Sequence, residues 1–132
     1  MTARISPLRR AAITGRAIAL GAVALALSAG ASLAVEFMTQ EELLATIPGH
    51  SIHAKTNEGV PWVQTYSKGK KKGKVKGKMG DQTFESIWFV KGDQWCEDWG
   101  DGSACWDVER VDENSLRMYE NGKPRKHLWK VK

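Results

Sequence analysis

The sequence predicts a mostly β fold: an antiparallel meander that forms a small barrel or a curved sheet, with one short helix at the start of the domain. Two observations support this prediction. After residue 49 the chain is a succession of short segments rich in β-branched and aromatic residues, each bounded by turn residues. Asn121-Gly122, a strong hairpin signal, separates the last two segments. Successive strands without helices between them predict antiparallel neighbours, as in small barrels.

The helix is predicted over 38–47. Thr39 and Glu42 have the spacing of a capping box, apolar residues follow at helical spacing, and Pro48-Gly49 ends the helix. The predicted strands cover 51–56, 60–67, 83–90, 94–99, 104–111, 115–120 and 123–131. The intervening segment 68–80 is rich in Lys and Gly, which predicts an extended, mobile loop.

A two-residue turn at Gly100-Asp101 sets the register of the hairpin that contains both cysteines. Cys96 then faces Cys105 at a non-hydrogen-bonded pair, where Cα atoms lie about 4.5 Å apart, within the range of a disulfide. The sequence holds no further cysteine, and the spacing is not Cys-x-x-Cys. We therefore predict a structural disulfide rather than a redox or metal site.

Residues 1–34 predict export. An arginine-rich start without acidic residues precedes an apolar run at 17–27, and Ser32 and Ala34 fit the small-x-small pattern of a cleavage site. We divide the chain into a signal peptide and one small β-rich domain, 35–132. This domain is predicted to be periplasmic or secreted, with no stable membrane span after cleavage.

Two alternatives to this processing remain open. One is cleavage after Ala31. The other is an uncleaved membrane anchor, because the uncharged stretch 17–35 is close to the length of about 18 residues that a spanning helix needs.

Removing the signal peptide almost neutralises the chain. The whole sequence has 20 Lys and Arg against 15 Asp and Glu, and residues 1–34 hold four of the bases and none of the acids. The remaining domain has 16 bases against 15 acids, so the basic character of the whole chain does not indicate nucleic-acid binding. We predict no specific nucleic-acid partner.

A cluster of lysines is the first unusual feature of the domain. Three interpretations are open: a solvated loop, a site for an anionic envelope polymer, or pairing with the acidic segment 93–113 inside the fold or between molecules. The lysines are Lys68, Lys70, Lys71, Lys72, Lys74, Lys76 and Lys78.

The second unusual feature is six tryptophans, all within 35–132. Tryptophan supplies a large apolar area per residue, so a small core uses it economically. The alternative is a surface on which a sugar ring or an aromatic ligand stacks. The hairpin register places Trp95, Trp99 and Trp106 on one face, opposite the cysteines, and these three are the candidate ligand-binding residues.

The sequence carries no recognised catalytic or metal-binding motif. His50 and His53 would point to opposite faces of a strand, which is poor geometry for a shared metal ion. We therefore predict a protein that is not an enzyme and that uses no metal and no cofactor.

The segment GDQWCEDW at 92–99, followed by ACW at 104–106, resembles small exported bacterial proteins of unassigned function. Their pattern is a signal peptide, a short helix, a Pro-Gly stop, a Gly-containing β tract, a Gly-Asp-x-x-Cys strand and a second Cys. The resemblance covers most of 38–131 and implies a lipocalin-like β fold without catalytic residues. The lysine cluster departs from that pattern, which has a shorter and less charged turn there.

The leading functional hypothesis is a non-catalytic exported binding protein whose ligand is unknown. Its alternatives are a regulatory interaction protein, such as an inhibitor of an envelope enzyme that docks through the Lys-rich loop, and a small hydrolase with an unrecognised site. Partners in these hypotheses are an anionic envelope polymer or an envelope protein. An open cavity lined by tryptophans favours ligand binding, a closed core with a charged face favours interaction, and titratable groups that converge in a cleft favour catalysis.

Overall fold

The computed structural model describes residues 34–132, and these form a closed eight-stranded antiparallel β-barrel with one short helix. The predicted signal peptide lies outside the described residues except for Ala34. The elements are α1 (Gln40–Thr46), β1 (Ser51–Lys55), β2 (Pro61–Tyr66), β3 (Lys72–Met79), β4 (Gln82–Lys91), β5 (Gln94–Asp98), β6 (Ser103–Asp112), β7 (Ser115–Glu120), β8 (Lys123–Pro124) and β9 (Trp129–Val131).

The barrel closes through pairing between β6 and β7. The strand order is β6-β5-β4-β3-β2-β1-β9-β7-β8, and β8 and β9 both pair with β7, so together they fill one of the eight positions of the barrel. The pairing of β6 with β7 then joins the two ends of the sheet. Closure pairs the strand edges that would otherwise be open to another chain. The prediction of one continuous strand over 123–131 is wrong, because residues 125–128 are not part of a strand. They separate β8 from β9, and both of these strands pair with β7.

Helix α1 covers one end of the barrel. Its capping box is confirmed: the Thr39 hydroxyl accepts from the backbone N of Glu42 at 3.2 Å, and the Glu42 carboxylate accepts from the backbone N of Thr39 at 3.0 Å. The helix is shorter than predicted by two residues at its start and one at its end. Leu43 and Ile47 are fully buried in the same cluster as the inward residues of the strands, so they form the base of the core.

The cysteine hairpin has the predicted register. Cys96 pairs with Cys105 and Trp95 pairs with Trp106 across β5 and β6. The disulfide is confirmed, with the two Cα atoms 4.1 Å apart. Since neighbouring residues of a strand point to opposite faces, the register directs both tryptophans into the barrel and the disulfide to its outer side.

The prediction that 68–80 is a mobile loop is wrong over most of its length. Strand β3 pairs with β4 from Lys72 to Met79 and with β2 over four residues. Inward positions on β3 are Gly73, Val75 and Gly77, while the lysines between them are exposed on the outer surface. The exposed lysines of this strand are Lys72, Lys74, Lys76 and Lys78.

The two inward glycines make room for aromatic rings of β4. Gly73 lies opposite Trp88 and Gly77 lies opposite Phe84. A Cβ at position 77 would meet the Phe84 ring at 1.9 Å, and one at position 73 would meet the Trp88 indole at 2.5 Å. Glycine therefore serves close packing in this strand rather than flexibility.

Pairing of the lysine cluster with the acidic segment finds no support inside the fold. In the described part of the chain, the ion pairs are Arg117 with Glu109 and Arg125 with Glu120, and neither includes a lysine of the cluster. One carboxylate, that of Glu85, lies opposite a lysine of β3, namely Lys76. The other lysines of β3, which are Lys72, Lys74 and Lys78, lie opposite neutral residues of the neighbouring strands.

Candidate ligand-binding site

A cavity of about 380 Å³ lies at the end of the barrel opposite α1. The helix end is fixed by the hydrogen bonds from Gln40 N to Asp93 and from Arg110 to Thr46, which tie α1 to the β4–β5 turn and to the end of β6. The cavity is lined instead by residues from the other ends of these strands. They are Lys55, Asn57, Trp62, Gln64, Phe84, Glu97, Trp99, Trp106, Met118, Arg125, His127 and Trp129. We call this cavity the mouth.

The alternation of side chains along each strand determines which residues line the mouth. Residues two apart on one strand share a face, so Trp62 and Gln64 both point inward from β2. Glu97 of β5 and Trp99, the residue just beyond the end of β5, also line the mouth. Phe84 reaches the mouth from β4, where it lies over Gly77.

Aromatic rings form most of the apolar wall. The Trp62 and Trp129 rings meet edge to face with centroids 5.6 Å apart, and the Phe84 and Trp99 rings do so at 5.2 Å. Trp106 contacts Trp129 with centroids 6.0 Å apart. Trp62 and Trp99 are half-buried, so part of each ring is open to a ligand or solvent.

A buried polar network forms the floor of the mouth. The Tyr66 hydroxyl donates to Oε2 of Glu97 at 2.7 Å and also contacts Oε1 of Gln64. Trp95 Nε1 donates to the same Glu97 oxygen at 3.1 Å. Burial raises the pKa of Glu97, and the hydrogen bonds from Tyr66 and Trp95 oppose this rise only in part. Burial, and then the charge of Glu97, raise the pKa of Tyr66 well above its ordinary value.

Two nitrogens beside the mouth are buried without a hydrogen-bond partner among residues 34–132. They are Nε1 of Trp106 and Nε2 of His127, and both side chains line the cavity. An indole N–H is a donor only, and leaving a buried donor unpaired costs about 1–3 kcal/mol. A ligand that carries an acceptor oxygen could satisfy Trp106 inside the mouth.

The structure separates the three tryptophans that were predicted to act together. Trp99 and Trp106 line the mouth. Trp95 is fully buried below it, stacked on Trp88 with centroids 4.9 Å apart and an interplanar angle of 15°. Among the predicted residues, therefore, two lie at the cavity and one belongs to the core.

Sequence reasoning missed Trp62, Phe84, Gln64 and Glu97 as residues of the site. A signal for Glu97 was present, because it lies midway between Trp95 and Trp99 on the inward face of one strand. A carboxylate at an inward position between two tryptophans indicates a buried polar site. The contribution of Phe84 depends on its fit over Gly77, which lies seven residues away on another strand.

The chain matches no protein-family model, and neither the curated proteins nor the solved structures contain a match for it. In the described range, no helix has the length and apolar character needed to cross a membrane. Nor does that range contain three His, Cys, Asp or Glu side chains grouped so that they could hold a metal ion.

Proposed function

We propose that this protein is a non-catalytic binding protein that takes a small ring-containing ligand into the mouth of its barrel. The observation that carries the proposal is a cavity with an aromatic wall from Trp62, Phe84 and Trp99 above a buried polar floor. An aromatic or sugar ring can stack on such a wall, while a few fixed polar groups orient it. Trp106 Nε1 offers a donor to an acceptor on the ring.

The proposal favours ligand binding over the two alternative functions. An interaction protein would present a closed core, whereas this barrel has a cavity lined by apolar rings. A hydrolase would use titratable groups that act together on a substrate, but Glu97 is already engaged by Tyr66 and Trp95. Within residues 34–132, Nε2 of His127, which also lines the mouth, makes no hydrogen bond to it. The floor therefore serves recognition better than proton transfer.

The proposal also places the protein outside the cytoplasm. The segment 1–34 has the charge and hydropathy pattern of a signal peptide. The disulfide between Cys96 and Cys105 is consistent with an oxidising compartment. The resemblance of 92–99 and 104–106 to small exported bacterial proteins implies a lipocalin-like β fold and no established activity, and a small barrel of that kind can hold a ligand at its open end.

The test uses the uncharged fluorescent probe N-phenyl-1-naphthylamine with residues 35–132. We expect one probe per barrel and a rise in probe fluorescence. Trp99→Ala removes part of the wall and should weaken binding about tenfold, since one aromatic contact is worth about 0.5–1.5 kcal/mol beyond its buried area.

The matched control is Ile87→Ala. Ile87 is 49% exposed on the outer side of β4 and does not line the mouth, so this variant should bind the probe like the wild type. Melting curves establish that both variants are folded. No saturable binding, or equal losses in the two variants, would overturn the proposal.

A further inference from the structure

A second concave surface lies on the outer wall of the barrel, beside the mouth, with a volume of about 670 Å³. Six basic side chains line it: His53, Lys55, Lys78, Lys126, His127 and Lys130. We call it the basic groove. The lysine-cluster hypothesis included one of these residues, Lys78, and the other five come from distant parts of the chain.

Sheet register brings these basic residues together. Lys130 of β9 pairs with His53 of β1, His53 pairs with Val63 of β2, and Val63 pairs with Lys78 of β3. Adjacent strands lie about 4.8 Å apart, so this row crosses about 14 Å of the outer surface. Lys55 lies on the same face of β1, two residues beyond His53.

The charge of the groove is not compensated by its own lining. Four lysines contribute formal positive charges, and within residues 34–132 no Asp or Glu lines the surface. The Lys130 ammonium donates to the neutral Ser115 hydroxyl at 2.7 Å rather than to a carboxylate. Like charges gathered around a concavity create a positive potential that attracts an anion.

The floor of the groove is apolar. Pro61 and Val63, which share the outward face of β2, line it together with Leu128, and Val63 and Leu128 are half-buried. A hydrated anion would contact the basic groups and would gain nothing from the apolar floor. The combination of an apolar base with a basic margin matches a molecule that has an apolar part and an anionic head.

We propose that the basic groove binds a single soluble amphiphile with a phosphate head, whose apolar part lies on Pro61, Val63 and Leu128. The phosphate carries more than one acceptor oxygen and meets lysines from opposite sides of the groove, including Lys78 and Lys126. The concave shape and the volume favour one small molecule over the flat surface of a membrane. The groove and the mouth are neighbours and share Lys55, Trp62 and His127 in their linings, but Lys78 and Lys126 line the groove alone and Trp99 lines the mouth alone.

The test measures binding of monomeric dodecyl phosphate to residues 35–132 by calorimetry. We expect a one-to-one complex that weakens as salt is added, because the head is held by charge. The double variant Lys78→Gln with Lys126→Gln should lose about tenfold in affinity through its lost charge-assisted hydrogen bonds. Both lysines are exposed and lie outside the mouth, so the variant should fold normally and bind the uncharged mouth probe as before.

The matched control is Lys72→Gln with Lys74→Gln. These lysines are exposed on the same outer surface, carry the same charge and do not line the groove, so dodecyl phosphate should bind unchanged. Inorganic phosphate and dodecanol should each bind much more weakly than dodecyl phosphate, since each offers only half of the contacts.

Four results would each overturn the proposal. Equal losses in the two double variants would show general attraction by the basic surface. Inorganic phosphate that binds as tightly as dodecyl phosphate would show a plain anion site. Binding to phosphatidylglycerol vesicles but not to the monomer would show a membrane surface. Loss of dodecyl phosphate binding in Trp99→Ala would place the amphiphile in the mouth.

Discussion

Gly77→Ala is the substitution that best tests how the mouth is built. Gly77 points into the barrel from β3, and the ring of Phe84 lies over it. A Cβ at this position would be 1.9 Å from Cε2 and 2.4 Å from Cζ of Phe84. Gly77 is not among the glycines with positive φ, so the backbone accepts alanine and the cost is steric.

The expected cost combines three terms. Overpacking in a closed core costs about 1–3 kcal/mol. A displaced Phe84 ring loses its edge-to-face contact with Trp99, worth about 0.5–1.5 kcal/mol. Alanine in place of glycine recovers about 0.5–1 kcal/mol, because glycine loses more backbone freedom on folding. We expect Gly77→Ala to lower the free energy of unfolding by about 2 kcal/mol.

The assay is a double-mutant cycle by urea unfolding, followed by tryptophan fluorescence. In the Phe84→Ala background the ring is gone, so Gly77→Ala should be neutral or slightly stabilising there. The coupling energy should then be about 2–3 kcal/mol, as for residues in direct contact. If Gly77→Ala costs the same in both backgrounds, the steric explanation for the glycines of β3 is wrong.

Three further predictions concern other parts of the chain. Cys96→Ser opens a disulfide of sequence separation 9 and should lower the free energy of unfolding by about 2.6 kcal/mol on the chain-entropy model; an unchanged urea midpoint would contradict this. The pKa of Glu97 is raised above 4.5, so the folded state holds the proton more tightly than the unfolded state, and stability should fall as pH rises from about 4.5 through the raised value. Glu97→Gln should flatten this decline in melting temperature, and parallel declines in both proteins would refute it. Exported protein should begin at or near Val35 by N-terminal sequencing, whereas a full-length membrane-held species would exclude cleavage.

Local turn chemistry explains why two hairpins were predictable. Asn121 and Gly122 both have positive φ, at 52° and 81°, as a two-residue hairpin turn requires, and they join β7 to β8. A turn at Gly100-Asp101 predicted that Cys96 faces Cys105, and the structure has this register. In both cases the information lies within a few residues of the turn, so the sequence alone contains it.

Strand β3 was missed because composition was weighed above periodicity. Lysine and glycine are both depleted in strands, which predicted a loop. Yet from Lys72 to Lys78 charged residues alternate strictly with Gly or Val, and this period of two is the pattern of a strand with one solvated face. The reason that Gly77 is acceptable there, the Phe84 ring on the next strand, is a long-range contact that composition does not reveal.

Which tryptophans lie in the core and which in the mouth depends on the end of the barrel that α1 covers, and the alternation of side chains along a strand does not reveal this. Trp95 of β5 and Trp99, one residue beyond the end of β5, both point inward and lie at different distances from α1. Because α1 covers the end nearer to Trp95, that ring is sealed into the core, and Trp99 is left at the open end. The sequence predicted the helix but not which end of the barrel it covers.

Glu97 is the one acidic side chain among the described residues that line the mouth, so its protonation changes the charge there. The Tyr66 hydroxyl has one proton and lies within hydrogen-bond reach of two acceptor oxygens, those of Glu97 and Gln64. Protonation of Glu97 would supply a second donor to this network, and burial, which raises the pKa of Glu97, makes that protonation easier than in water. In the protonated form the floor offers hydrogen bonds without a negative charge, while Lys55 and Arg125 line the same cavity. In that form the mouth favours neutral or anionic ligands over cations, and ionisation of Glu97 as the pH rises should weaken the binding of an anion more than that of an uncharged probe.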